Sequence, residues 1–439
     1  MRIFAYTALA ASLSLAAAIW STQASAVVPI DYRVLHTFCH SANCGDGQQP
    51  IGLTIDAEGD LFGVAVGGGR FGAGTLYELA PQHHGKHYTL DMLKELCNPD
   101  FCTAGNTPTA APIMDGSGNL YGTTESARQQ GCGAIYMKSS PPQFHVLHVF
   151  QGADGCNATS GSLVYQGKQS GQAYDGVSPL YGMTENGGSN SSGVVYELTP
   201  PKPGRKKWSE RVIYSFCQIS DCADGTQPVG NLVMDANGDL FGGTTDGTIF
   251  EMTPDGNGGF NHHILYISGT GESFFELALA SDGTTLYGVS AAGGTGSAGT
   301  LFKLTPNTCR ACGARLTTYQ YTLLHTFCSG GGNCTDGHGP AALLFDQQGD
   351  IFGVTAAGGA NAAPPQSGTT GGGTVFEYTH TGSFGTLYNF CAQANCTDGG
   401  RPIGGLLLNN GALFGTTANG GSTTWLTSGA GVVFELMLP

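Results

Sequence analysis

One phrase recurs seven times along this chain: Leu or Ile, an aromatic residue and glycine, then a loop, then a glycine-led strand carrying an aromatic and usually Glu-Leu. The first copy reads Leu61-Phe62-Gly63 followed by Gly74-Thr75-Leu76-Tyr77-Glu78-Leu79, and the paired glycines recur at Gly122/Gly133, Gly182/Gly193, Gly242/Gly247, Gly288/Gly299, Gly353/Gly373 and Gly415/Gly431. Self-similarity with a period of roughly 60 residues implies a repeat architecture, because each unit must bury its apolar face against its neighbours.

Within one repeat, four strand-like pieces follow one another. They are Val34–Phe38, Ile51–Asp56, Asp60–Val64 and Gly74–Leu79, separated by a cysteine loop ending Cys44-Gly45-Asp46-Gly47, a turn Ala57-Glu58-Gly59, and a glycine-rich loop. Alternating, β-branched and aromatic runs bounded by Gly, Asp and Pro are strand signals, and four per repeat make one propeller blade. The expected fold is therefore all-β, a seven-bladed β-propeller. The chain begins with a first piece near Tyr32 and stops at Pro439, after the seventh fourth piece, so the N-terminal strand is expected to complete the last blade. A linear solenoid is the alternative, but it would need distinct polar caps at its ends.

With the second piece innermost, the cysteine loops and glycine-rich loops share one face of the ring, and the Asp56-Ala57-Glu58-Gly59 type of turn lies on the other. The interval between paired glycines is 11 residues in four repeats but 5 in the fourth, 20 in the sixth and 16 in the seventh. Length variation concentrated on one face marks it as the place for recognition.

The N-terminus has the order of a secretory signal: Arg2, an apolar run Ala8–Ile19, then Ala24-Ser25-Ala26. Residues 1–26 are read as the signal peptide and 27–439 as a single propeller domain, secreted or periplasmic. The apolar run is too short to span a bilayer, and no later stretch is longer. A formal charge of −15 disfavours nucleic-acid and anionic-membrane partners. No cofactor is expected, and the chain is read as a monomer whose partner is an extracellular glycan or protein.

The cysteines agree with export. Five of the pairs, Cys39/Cys44, Cys97/Cys102, Cys217/Cys222, Cys328/Cys334 and Cys391/Cys396, fall at one place in the repeat, and Cys309/Cys312 is a sixth local pair. Repeat three has Gln151 where the first cysteine belongs, which leaves Cys156 to bridge to Cys132 in the neighbouring repeat. An even count in register favours disulfides over zinc.

The segments Gly118-Asn119-Leu120-Tyr121-Gly122-Thr123-Thr124, Gly349-Asp350-Ile351-Phe352-Gly353-Val354-Thr355 and Gly373-Thr374-Val375-Phe376-Glu377-Tyr378 resemble the Gloeo/Verruco ("GloVer") tandem repeat of exported bacterial proteins. The resemblance covers essentially the whole chain after residue 26. It implies a propeller-like fold and export, and carries no catalytic residue onto this sequence.

Several polar positions are candidates for chemistry. Gly294-Thr295-Gly296-Ser297-Ala298-Gly299 matches a dinucleotide pattern, but a strand follows it where a phosphate-binding helix is required. Asp56, Asp115, Asp235 and Asp346 precede turn glycines and are assigned to turn hydrogen bonds. Asp46, Asp224, Asp336 and Asp398 recur in the cysteine loops, where they shape the loop or bind a ligand such as calcium. His36, His148 and His325 share a strand position with Lys94, Tyr214, Tyr266 and Tyr388, which marks a packing slot.

The remaining candidates are Glu125, Glu185 and Asp246, which stand near the end of the third piece in adjacent blades where other repeats have mostly small or apolar residues. Close carboxylates there would serve as acid and base for glycoside cleavage by a hydrolase or lyase, or bind a cation. Neither G-x-S-x-G nor H-E-x-x-H occurs. The primary expectation is a binding platform, and the alternative is a carbohydrate-active enzyme.

Overall fold

The first and last strands of the fold lie side by side. In the computed structural model, Tyr32–Thr37 pairs antiparallel with Val432–Met437, so the N-terminal strand completes the seventh blade. The structure describes residues 31–438 apart from 41–42, 83–84, 86, 98–104, 127–130, 160, 270–271, 309–316, 331–333, 363–370 and 422–428. The expected signal peptide lies outside these residues.

Seven antiparallel sheets follow one another around the ring. Blade 1 runs from the inner strand Gln48–Ile55 through Leu61–Gly67 and Thr75–Gln82 to the outer strand His87–Glu95. Blades 4, 5 and 6 repeat this order, starting from Pro228–Met234, Phe274–Leu279 and His338–Phe345. Three inner strands are shorter than the pattern predicts. Blade 2 has Asn106–Pro108 and then Ile113–Met114, blade 3 has only Cys156–Ala158, and blade 7 only Leu407–Asn409. Pro112, which lacks an N–H for the ladder, separates the two pieces in blade 2, and the 3₁₀ turn Lys168–Ser170 occupies the segment after the blade 3 strand.

The paired glycines have separate structural causes. The first of each pair, as in Gly63, lies opposite the aromatic of the next strand, Tyr77, and a side chain there would collide with that ring. The same pairing recurs in every blade, down to Gly415 against Phe434. The second glycine opens the third strand with φ near +95°, at +96° in Gly74 and +93° in Gly431. A β-carbon on Gly74 would lie 2.6 Å from the Ala65 carbonyl oxygen and 2.7 Å from Cδ of Pro108 in the next blade. Only glycine meets both the torsion and the clearance.

The residue before that glycine ties a blade to the next at six of the seven junctions. Ala73, Cys132, Ser192, Ala298, Gly372 and Ala430 each accept a backbone hydrogen bond from the start of the following inner strand, donated by Thr107, Asn157, Gln227, Gly339, Arg401 and Gln49 respectively, at 2.7–3.0 Å. The bond from Gln49 to Ala430 closes the ring between blades 1 and 7. All six donors have positive φ, a backbone cost in the five that are not glycine, which the junction contact offsets.

Candidate functional site

The loop face is built around one bulge per blade. In each outer strand the register slips one residue before the shared slot position, as between Val34 and His36 or between Val146 and His148. The same slip precedes Lys94, Tyr214, Tyr266, His325 and Tyr388. A bulge leaves one residue unpaired and re-aims its neighbour, and here it turns the slot side chain toward the loop that follows.

In five blades that side chain meets the loop aspartate. His148 and His325 lie 2.9 Å from Asp154 and Asp336, and His36 lies 3.5 Å from Asp46. The Tyr214 and Tyr388 hydroxyls donate to Asp224 and Asp398 at 2.7 and 2.8 Å. Each aspartate's other oxygen accepts a loop amide, such as Cys39 N–H to Asp46 at 3.0 Å and Ile219 N–H to Asp224 at 3.1 Å. The two isolated sequence features, a His/Tyr slot and a loop Asp, are thus partners. Burial resists ionisation of Asp46 and Asp224, but these hydrogen bonds outweigh it and hold both carboxyls below the usual range. Asp224 and Asp398 are fully buried. As expected on the opposite face, Asp115 and Asp235 cap their turns by accepting amide N–H groups two and four residues on.

Disulfides tie the same loops. Cys39–Cys44, Cys217–Cys222, Cys328–Cys334 and Cys391–Cys396 close single loops, and Cys132–Cys156 joins blades 2 and 3 across the gap left by Gln151. The expected Cys97–Cys102 and Cys309–Cys312 bridges fall wholly or partly outside the described residues. The glycine-rich loops dock onto these cysteine loops, with Gly69, Gly359 and Gly421 each donating 2.9 Å hydrogen bonds to Cys44, Cys334 and Cys396 carbonyls.

Glu125 and Glu185 lie near the loop-face ends of Leu120–Ser126 and Leu180–Asn186, both half-buried. Asp246 is exposed in the turn after Leu240–Thr244, its carboxylate accepting from the Thr226 and Thr244 hydroxyls at 3.2 and 2.5 Å. Among the described residues the only group of three or more His, Cys or carboxylate side chains whose ligand atoms all lie within 4.8 Å of one another is His148, Asp154 and Glu210, which includes none of Glu125, Glu185 and Asp246.

A central channel of about 2090 Å³ runs along the inner strands, lined mostly by small and apolar residues such as Ile51, Ala111, Leu277 and Ala356. Lys168 and Glu276 bring charge into it. Burial pulls the Lys168 ammonium down to about 8, against the attraction of Glu276, and pushes the Glu276 carboxyl up to about 8, against Lys168. Perturbed, mutually coupled groups in a cleft are a physical marker of a binding position. Sequence reasoning missed both residues. Lys168 stands in the segment unique to repeat three, and Glu276 occupies the inner-strand position filled by Gly52 in blade 1 and Ala342 in blade 6.

Glu210 was missed as well. Four residues before each slot, the outer strand presents a platform for the slot residue of the preceding blade. Tyr32 stacks on Tyr388 at 4.1 Å, His262 on Tyr214 at 4.2 Å, Tyr321 on Tyr266 at 4.5 Å and Phe384 on His325 at 3.8 Å, and the Lys94 ammonium sits 5.3 Å above the Phe144 ring. The seven platform residues are Tyr32, Leu90, Phe144, Glu210, His262, Tyr321 and Phe384, and only Glu210 is acidic. Burial, then the Asp154 charge, pushes its carboxyl up to about 7.

The sequence profile of the Gloeobacter/Verrucomicrobia repeat matches residues 20–246, 166–363 and 245–439, three overlapping spans that together take in nearly the whole chain. The chain belongs to the Gloeobacter/Verrucomicrobia repeat family. No curated protein matches it. Among solved structures, this family member is similar to the extracellular domain of a hybrid two-component system from B. thetaiotaomicron. The TM-score is 0.52 at 11% identity, over 90% of this chain and 39% of that one. It is also similar to the β-propeller domain of Cps50 (Swd1) from Myceliophteria thermophila, with TM-score 0.51 and 10% identity over 93% and 100% of the two chains. A puromycin-hydrolyzing peptidase from Mycobacterium tuberculosis matches with TM-score 0.50 and 11% identity, over 87% and 52%. At such identities the likeness concerns the propeller fold alone. No helix among the described residues is long and apolar enough to cross a membrane.

Proposed function

We propose that this chain is an exported, monomeric binding platform that holds a glycan or protein ligand on the face carrying the cysteine and glycine-rich loops. The carrying observation is the construction of that face. In four blade junctions the loop is fixed both by a disulfide and by an aspartate that bonds a slot side chain and a loop amide. Such pre-organisation lowers the ordering cost of binding, which is what a recognition surface needs. Disulfides in register and the charged, apolar, small-residue N-terminus support export, with 1–26 as signal peptide and 27–439 as the working domain.

A glycan array run beside a reducing-end assay tests this reading. Binding without release of reducing ends is expected, and trimming residues 361–372 to the loop length of repeat one should abolish it; most of that segment lies outside the described residues. The second reading is an exported glycoside hydrolase or polysaccharide lyase using Glu125, Glu185 and Asp246, and it draws on the two half-buried glutamates at equivalent places in adjacent blades. Under it, Glu125→Gln and Glu185→Gln would each slow turnover by at least about 100-fold in a folded protein. Polysaccharide cleavage at full rate by the double Gln variant removes that reading, and cleavage abolished by it removes the binding-only one.

A further inference from the structure

At five of the seven junctions between neighbouring outer strands, the slot residue packs against a ring on the next strand. The junction of blades 2 and 3 breaks the rule. There His148, from Gln143–Val149, meets Asp154 of the connecting loop and Glu210 of Ser209–Ser215. His148 Nε2 lies 2.9 Å from Asp154 Oδ2 and 3.9 Å from Glu210 Oε2, and one ligand atom from each residue lies within 4.8 Å of the other two. The Glu210 side chain is 7% exposed, and its Oε1 is buried without a hydrogen-bond partner. An uncompensated buried carboxylate oxygen is costly, and nothing in the packing of the other blades requires an acid at this position.

We propose that His148, Asp154 and Glu210 form a binding site for a divalent transition metal of the zinc class. One imidazole and two carboxylates are a borderline donor set that suits Zn²⁺ better than Ca²⁺ or Mg²⁺. Two ligands on a tetrahedral zinc lie roughly 3.3 Å apart, given bonds near 2.0–2.1 Å. The 2.9 and 3.9 Å separations bracket that value, so small side-chain rotations bring both carboxylates to the metal. The metal replaces the proton on Nε2, and Asp154 Oδ1 keeps its 2.6 Å bond from the Gln151 N–H, which orients the carboxylate. His148 and Asp154 are 20% and 22% exposed, so water reaches the fourth position. The Cys132–Cys156 bridge holds the connecting loop in place beside the site. Lys207, exposed on the same edge, lies near enough for its charge to act on His148, but solvent screens it.

The test uses untagged, chelator-treated protein titrated with Zn²⁺ by calorimetry, with bound metal counted by elemental analysis after dialysis. About one equivalent is expected, with a rise in Tm on binding. Glu210→Phe and His148→Tyr install residues that this chain itself uses at the equivalent positions, Phe384 and Tyr214, so both variants should fold. Glu210→Gln is the conservative third. Each should weaken zinc binding by at least about 10-fold, while the metal-free Glu210→Phe protein melts at or above the wild-type temperature. Wild-type protein that takes up no zinc, or uptake that Glu210→Phe and His148→Tyr leave unchanged, overturns the proposal.

Discussion

His262 shows how one position can set a pH response. It stacks on Tyr214, its Nε2 is buried without a hydrogen bond, and burial pushes its pKa down to about 4 despite the nearby Asp224. A histidine whose folded pKa is depressed resists protonation in the fold while the unfolded chain accepts it readily. Its contribution is therefore intact above the unfolded value of about 6.5 and is lost as pH falls from there toward 4. His262→Phe, which copies Phe384 of blade 6, should leave Tm near wild type at pH 7.5 and raise it relative to wild type at pH 5. Equal melting curves at pH 5 would show that the buried ring costs nothing on protonation. The slot-and-aspartate pairs respond in the same direction, but at lower pH. Asp46 and Asp224, held below the usual range, stabilise the fold above the ordinary carboxylate pKa, and that contribution fades as pH drops through their folded values.

The strand and its flanking loops are the unit that the repeat copies. Every outer strand carries the same bulge, every third strand opens on a positive-φ glycine, and every cysteine loop that is locked is locked by its own strand's slot residue. The exception in repeat three tests how disulfides contribute. Cys132–Cys156 closes a separation of 24 residues and joins two blades, whereas Cys391–Cys396 closes 5 within one loop. On loop-closure entropy the double Ala replacement of the first pair should cost about 3.5 kcal/mol and that of the second about 2. Denaturant midpoints with unchanged slopes would measure both. A larger loss for the Cys391/Cys396 pair would mean that loop geometry outweighs chain entropy here.

At the scale of the whole ring, stability rests on closure. The N-terminal strand pairs with Val432–Met437, Arg33 bonds Glu435 across the pair, and Tyr32 stacks on Tyr388 of blade 6. Deleting residues 27–38 would leave an open strand edge on blade 7 and remove Phe38, which is fully buried between blades 1 and 7. That truncation should aggregate or melt far below the full chain. Unchanged thermal stability by calorimetry would mean that the ring does not depend on this strand.

The repeat, the number of blades, the closure by the first strand and the Cys132–Cys156 bridge are all legible in the sequence. Each follows from short-range spacing that seven copies state independently, and an exception such as Gln151 stands out against them. Paired glycines at Gly63 and Gly74 announce a cross-strand ring and a positive φ wherever they occur, because no other residue satisfies those sterics. The contents of the junctions and of the channel were decided only by tertiary structure. His148 and Glu210 stand 62 residues apart and come within 3.9 Å because neighbouring outer strands lie side by side, with the platform residue four positions before the slot of its own strand. Lys168 and Glu276 share the channel because the ring turns their two blades inward. Local pattern fixes which face of a strand is buried, but only the closed ring brings residues of different repeats within reach of one another.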